Sequence, residues 1–123
     1  MLNKVILMGR LVRNPELRQT QNGTAVCSFT LAVDRRAKEK VTDFINVVAW
    51  QKTAEFVSKY FAKGRMIAVI GSIQSRNYTD RDGNKRTVVE VVAEEVSFTG
   101  EPRQAAPAVP YEDLDEPDDD LPF

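Results

Sequence analysis

Two aromatic side chains on one predicted strand could stack against a flat ligand. Residues 44–52 read as a β-strand, and successive side chains on a strand point to opposite faces. One face then carries Phe44 and Trp50, while the other carries the aliphatic residues Ile45, Val47 and Ala49. Unpaired nucleobases present a π-face that stacks on aromatic rings whatever the base. We interpret this strand as a stacking platform for unpaired bases; a core position for Trp50 is the alternative, since large aromatics are highly buried on average.

Basic residues accompany these rings and extend the same hypothesis. Tyr78 provides a third ring at the end of a later strand, directly before a basic hairpin. Lysine and arginine neutralise the phosphates of a nucleic acid, and the affinity then falls as salt rises. The candidate phosphate-binding residues are Arg10, Arg18, Arg35, Arg36, Lys52, Lys63, Arg76, Arg81, Lys85 and Arg86. Reading a duplex by sequence would need a helix or ribbon with base-edge readers, so the pattern favours a single-stranded ligand.

The charges divide into a basic body and an acidic tail. Residues 1–104 hold all 17 lysines and arginines against 11 acids, a net charge of +6. Residues 105–123 hold seven acids and no lysine or arginine, a net charge of −7. This asymmetry indicates a polyanionic partner for the body and an interaction role for the tail.

The composition argues against catalysis, metal binding and a membrane. The chain has no histidine, which removes the commonest general base and metal ligand, and its single Cys27 allows neither an internal disulfide nor a cysteine cluster. A nuclease would need clustered carboxylates to hold a metal, and the acids outside the tail are scattered. No apolar run reaches bilayer length, and the N-terminal apolar stretch is too short for a signal peptide. We therefore expect a cytoplasmic binding protein with no catalytic residues and no cofactor.

The predicted elements that position these residues are five strands and one helix. Alternating apolar patterns predict strands over residues 4–12, 24–33, 44–52, 66–78 and 86–98. Helical spacing over residues 53–63 predicts a helix between the third and fourth strands, with Thr53 as its N-cap and Gly64 after its end. This order is that of an all-β, five-stranded OB-fold, a Greek-key barrel, and Gly9 and Gly71 suit the bends that a closed barrel requires.

The C-terminal region predicts a linker and a short binding tip. Residues 1–102 form the predicted OB-fold domain, residues 103–117 a flexible linker of proline, alanine and acids, and residues 118–123 the tip. The tip consists of Asp118, Asp119, Asp120, Leu121, Pro122 and Phe123. An apolar anchor behind three acids suits a basic pocket with an apolar floor on a partner protein. The alternative is a disordered acidic tail that only aids solubility.

These features together resemble the bacterial single-stranded DNA-binding protein family. The similarity rests on Asn3-Lys4-Val5-Ile6-Leu7, Gly9-Arg10-Leu11, Asn14-Pro15-Glu16, Asn22-Gly23, Ala54-Glu55, Tyr60, Lys63-Gly64, Gly71, Thr79-Asp80 and Gly83. The tip adds to it, because the family usually ends in Asp-Asp-Asp-Ile-Pro-Phe and Leu121 replaces the isoleucine conservatively.

The resemblance implies a homotetramer that wraps and protects single-stranded DNA and recruits replication, recombination and repair proteins through its tip, in association with the nucleoid. The stacking rings of the family fall on Phe44, Trp50 and Tyr78. A fourth stacking tryptophan of the enterobacterial members falls near Arg36 or Ala37, where this chain has no ring, and the linker is far shorter than theirs. An RNA-binding or primosomal OB protein, or an oligomeric scaffold, remains as an alternative.

Overall fold

The computed structural model describes residues 1–100, which form six strands and one helix. The elements are β1 (Val5–Leu11), β2 (Glu16–Gln19), β3 (Ala25–Asp34), β4 (Thr42–Trp50), α1 (Gln51–Tyr60), β5 (Met66–Thr79) and β6 (Lys85–Phe98). All five predicted strands and the helix are confirmed, whereas β2 is an addition. The predicted linker and tip lie outside the described residues.

Five of the strands close into a barrel. The order β1-β5-β6-β4-β3 returns to β1 through the antiparallel pairs Arg10↔Ala32 and Leu11↔Leu31. Strands β4 and β6 are parallel and pair only at Val47↔Val91 and Val48↔Val92. The other strand pairings are antiparallel. This confirms the all-β OB-fold barrel. Because the ring is closed, side chains of each strand alternate between an interior and an outer face.

The strand β2 lies outside the ring and pairs only with β3. The chain leaves the sheet after Leu11, at the end of β1, and enters it again at Glu16, directly after Pro15. All four residues of β2 are exposed, so the strand has no buried face and no alternation that a sequence pattern could reveal. The strand adds Arg18 to the outer face of the sheet.

The barrel interior is filled by the faces that the alternation predicted. Cys27, Phe29 and Leu31 of β3 are buried with Val47 and Ala49 of β4. Burial, together with the charge of Glu16, raises the pKa of the Cys27 thiol to about 11. The thiol is therefore protonated and inert at neutral pH, as expected for a core cysteine.

The helix α1 begins two residues earlier than predicted. Trp50 occupies the N-cap position without a side-chain hydrogen bond, so the expectation that Thr53 is the N-cap is wrong. Gln51 has a φ of +55°, a left-handed conformation that turns the chain sharply from β4 into α1. Ala54 and Val57 are buried and close one end of the barrel. Trp50 is thus the last residue of β4 and the N-cap of α1, so both elements constrain its backbone.

No helix within residues 1–100 is long and apolar enough to cross a bilayer.

Beyond the barrel, β5 and β6 continue as a projecting hairpin, here called the arm (residues 73–91). The arm keeps antiparallel register from Ile73↔Val91 to Thr79↔Lys85, and residues 73–79 are all exposed. It starts just after an irregularity at Gly71, where a Cβ would lie 2.1 Å from the carbonyl oxygen of Val92. The predicted bend at Gly71 therefore coincides with a close backbone approach that only glycine permits.

Candidate nucleic-acid interface

The outer face of β4 presents the two aromatic residues of the predicted platform. Phe44 is 65% exposed and Trp50 is 44% exposed, at opposite ends of the strand. Their neighbours Val47 and Ala49 face the interior and are buried. The alternative that Trp50 is a core residue is therefore wrong, because nearly half of its surface remains open.

Each of these rings shares a row of the sheet with an arginine. Across β2, β3 and β4, Arg18 lies opposite Val26 and Val26 lies opposite Trp50, so all three point to the outer face. Adjacent strands are about 5 Å apart, so the backbones of Arg18 and Trp50 are about 10 Å apart, with Val26 between them. The ring and the guanidinium therefore lie on one face of the sheet, where a base and a phosphate of the same strand could contact them.

The second row repeats this arrangement at the other end of β4. Arg10 lies opposite Ala32, and Ala32 lies opposite Phe44. The Arg10 guanidinium donates from Nη1 to the carbonyl oxygen of Gly64 at 3.0 Å, which orients the side chain at the edge of the face. Between the two rows, Thr30 Oγ1 donates to Asn46 Oδ1 at 3.0 Å and gives the platform a polar centre.

The arm contributes the third ring together with an arginine and an acid. Arg76 and Tyr78 are two residues apart on β5 and share a face, and the Arg76 Cζ lies 5.9 Å from the centre of the Tyr78 ring. The Arg76 Nε lies 3.4 Å from Glu90 Oε1 on β6, and Arg86 is the register partner of Tyr78. Tyr78 is 44% exposed, so much of its ring is open to solvent.

A groove, here called the platform groove, runs between the β2-β3-β4 face and the arm and continues past Phe44 to apolar residues of β1, β5 and β6. It consists of three adjoining cavities of about 440, 370 and 300 Å³. The second cavity brings together Arg18, Trp50 and Arg76, and the third contains Phe44. Tyr78, Lys85 and Arg86 line a separate depression at the tip of the arm, of about 400 Å³.

Some predicted phosphate-binding residues lie elsewhere or are already paired. Arg35 donates from Nε and Nη2 to both carboxylate oxygens of Asp43, at 2.9 and 3.0 Å. This hydrogen bonding raises the pKa of Arg35 and lowers that of Asp43. Arg10, Arg35, Arg36, Lys52, Lys63 and Arg81 line none of the four cavities. The structure thus places Arg18 and Arg76 within the platform groove, and Lys85 and Arg86 beside Tyr78.

The structure also adds residues to the interface that sequence reasoning did not select. Arg13 lines the first cavity, and Glu90 lines all three cavities of the platform groove. Glu90 has no local sequence signal, because β6 reaches β4 through a parallel contact between residues 44 positions apart. Within residues 1–100, no group of three or more acidic, cysteine or histidine side chains is arranged to hold a metal ion.

Comparison with known proteins gives a consistent result. A sequence model of the family described as "Single-strand binding protein family" matches residues 2–99. The chain is 52% identical over 101 residues to "Single-stranded DNA-binding protein 2" of Clostridium acetobutylicum, covering 79% of this chain and 76% of that protein.

Two further relatives show the same level of similarity. The "Single-stranded DNA-binding protein" of Halalkalibacterium halodurans is 51% identical over 107 residues, covering 84% of this chain and 63% of that protein. The "Single-stranded DNA-binding protein 1" of Staphylococcus aureus is 49% identical over 102 residues, covering 80% and 65%. The chain therefore spans a little less than two thirds of the length of these two relatives.

Proposed function

Because the chain belongs to the single-strand binding protein family, we propose that it binds single-stranded DNA without sequence specificity and protects it. Bases stack on Phe44, Trp50 and Tyr78, while arginines and lysines around them neutralise phosphates. The observation that carries the proposal is the pairing of each β4 ring with an arginine in its own row, Trp50 with Arg18 and Phe44 with Arg10. Stacking is blind to base identity and phosphate contacts are blind to sequence, so this arrangement supports binding to any sequence.

The test is a titration with oligo(dT) of graded lengths, followed by the fluorescence of Trp50. The chain has one tryptophan, so the signal reports that single site. We expect quenching that saturates, and an affinity that falls as the salt concentration rises. Unchanged emission at saturating oligo(dT), with binding established by anisotropy of a labelled strand, would remove Trp50 from the platform. Competition between oligo(dT) and oligo(U) distinguishes DNA binding from the RNA-binding alternative.

We also propose that the chain assembles as a homotetramer. Within the described part of the chain, β1 pairs with β3 only at Arg10 and Leu11, which leaves one edge of residues 5–9 without a strand partner. Ile6 and Met8 are exposed on this strand, and Ile73 and Val89 are exposed on the arm. Open strand edges and exposed apolar residues favour pairing with a second copy. A mass measurement of the free protein at micromolar concentration tests the assembly, and any mass other than that of four chains would overturn it.

The tip is proposed to recruit replication, recombination and repair proteins to the bound DNA in the cytoplasm, at the nucleoid. Support comes from the residues of the tip alone, Asp118, Asp119, Asp120, Leu121, Pro122 and Phe123, which lie outside the described residues. Acids followed by a short apolar terminus fit a basic pocket with an apolar floor. The function proposed is one of binding, with no catalytic residue and no cofactor.

A further inference from the structure

Two acids line the platform groove, where a polyanion is proposed to bind: Glu16, which is exposed, and Glu90, which lies at the floor. Glu90 lines all three of its cavities, and its side chain is 11% exposed. Its ion-pair partner within residues 1–100, Arg76, is 61% exposed. The carboxylate therefore lies deep and the guanidinium lies at the rim.

The geometry of this pair fixes the orientation of Arg76. The guanidinium faces Glu90 Oε1 through its Nε edge at 3.4 Å, and its Cζ lies 5.9 Å from the Tyr78 ring. A guanidinium has five N–H groups in a planar fork, so the edge away from Nε can still contact a second anion. Arg76 can accept a phosphate at the rim while Glu90 remains paired beneath it.

A partly desolvated carboxylate discriminates strongly between the parts of a nucleotide. Two like charges in a medium of low dielectric repel each other far more than in water, so a phosphate is disfavoured near Glu90. A base is uncharged, and several of its edges carry N–H groups that a carboxylate accepts. The floor of the platform groove therefore tolerates bases and rejects phosphates.

We propose that Glu90 is a specificity-determining residue that makes the chain select strands carrying bases over a bare phosphate backbone. It orients bound DNA with its bases toward the floor of the platform groove and its phosphates toward Arg18 and Arg76 at the rim. This inference rests on the proposed function, because it assumes that single-stranded DNA occupies the groove. It goes beyond that function by naming the residue that sets the orientation of the strand.

The test compares two labelled strands of equal length and equal charge, oligo(dT) and an abasic oligodeoxynucleotide, by fluorescence anisotropy at low salt. We expect Glu90→Gln to tighten binding of the abasic strand about fivefold, because the repulsive charge at the floor is removed. Binding of oligo(dT) changes less than twofold, because its phosphates already lie at the rim. The ratio of the two dissociation constants therefore falls about fivefold.

Glu94→Gln is the matched control, because Glu94 lies on the same strand but pairs with Lys4, away from the platform groove. It removes the same charge and shifts both affinities by one common factor. Glu90→Ala is the second variant, and a thermal unfolding scan shows which variants are folded. If the ratio of the dissociation constants for the abasic strand and oligo(dT) equals that of the wild type in both folded Glu90 variants, the inference is overturned. The proposed function still stands in that case, provided that oligo(dT) binds. A wild-type protein that fails to bind oligo(dT) overturns both.

Discussion

The Arg86 guanidinium donates from Nε to Asp80 Oδ2 at 2.9 Å, across the turn that ends the arm. The other oxygen of the same carboxylate accepts the backbone N–H groups of Asp82 and Asn84, both at 2.9 Å. Asp80 thus holds the turn closed and holds Arg86 next to Tyr78, its register partner. One carboxylate links the conformation of the turn to the position of a candidate phosphate-binding residue.

This carboxylate makes the stability of the arm depend on pH. The hydrogen bond from Arg86, followed by that from the Asn84 backbone, lowers the pKa of Asp80 below its usual value. A group with a lowered pKa stabilises the folded state above its unfolded pKa of about 3.9, and this contribution is lost as the pH falls through the folded pKa. We expect Asp80→Asn to lower the Tm at pH 7, with the difference from wild type narrowing below about pH 4. Thermal unfolding from pH 3 to 7 measures it, and a constant difference would contradict the argument.

Removal of the Trp50 ring is expected to weaken DNA binding without unfolding the protein. Trp50→Ala should reduce the affinity for oligo(dT) by about 1–3 kcal/mol, the range for a lost base stack, whereas Trp50→Phe should retain most of it. Anisotropy of a labelled strand measures both. Tyr60→Ala is the control, since Tyr60 is also about half exposed, at 43%, but lies on α1 and lines no part of the groove. An equal loss in the Tyr60 variant would assign the effect to something other than stacking.

Arg18 is expected to contribute to the salt dependence of binding. Each phosphate neutralised on a single strand adds about 0.7 to the slope of log affinity against log salt. Arg18→Gln should therefore lower that slope by about 0.7, equally for oligo(dT) and oligo(dA), because phosphate contacts carry no base information. Arg35→Gln serves as the comparison. The Arg35 guanidinium is already paired with Asp43, so we expect Arg35→Gln to lower the slope by less than Arg18→Gln. A larger decrease for Arg35→Gln would indicate that Arg35, rather than Arg18, contacts a phosphate.

The sequence predicted which face of a strand each side chain lies on. It predicted less well which strands lie next to one another. Alternation in residues 44–50 placed Phe44 and Trp50 on the outer face, because a period of two depends only on local geometry. It did not predict β2, whose residues are all exposed, nor the left-handed Gln51 that starts α1. It also did not place Glu90 in the groove, because that position depends on how β6 meets β4 once the barrel closes. The rings were therefore predictable, whereas the groove that they line was not.

Gly71 is expected to be required for the barrel rather than for the ligand. A Cβ at this position would lie 2.1 Å from the backbone oxygen of Val92, so Gly71→Ala forces strands β5 and β6 apart and should destabilise the fold by about 3 kcal/mol. Gly83→Ala provides the contrast, because Gly83 has a φ of +83° but a Cβ added there would have nothing within 4 Å. Only backbone strain of about 1 kcal/mol is expected there. Urea unfolding of both variants measures the difference, and similar losses would contradict the close-approach argument.

Deletion of residues 118–123 is expected to separate the two proposed activities of the chain. Residues 1–100 form a closed barrel with its own buried core, so we expect the Tm not to change. We expect the acidic tail to compete with DNA for the basic body, so loss of three aspartates should tighten binding of oligo(dT) at low salt. The affinities of the deletion and the wild type should converge as salt screens both interactions. Capture of replication, recombination and repair proteins from a purified set should be abolished.

A variant with Asp118, Asp119 and Asp120 changed to Asn keeps the apolar Leu121-Pro122-Phe123 and isolates the effect of the charge. If it binds DNA like the deletion but still captures partners, the acids provide the competition and the apolar terminus provides the recruitment. Unchanged DNA affinity in both variants at low salt would contradict the competition, and unchanged capture by the deletion would contradict recruitment through the tip.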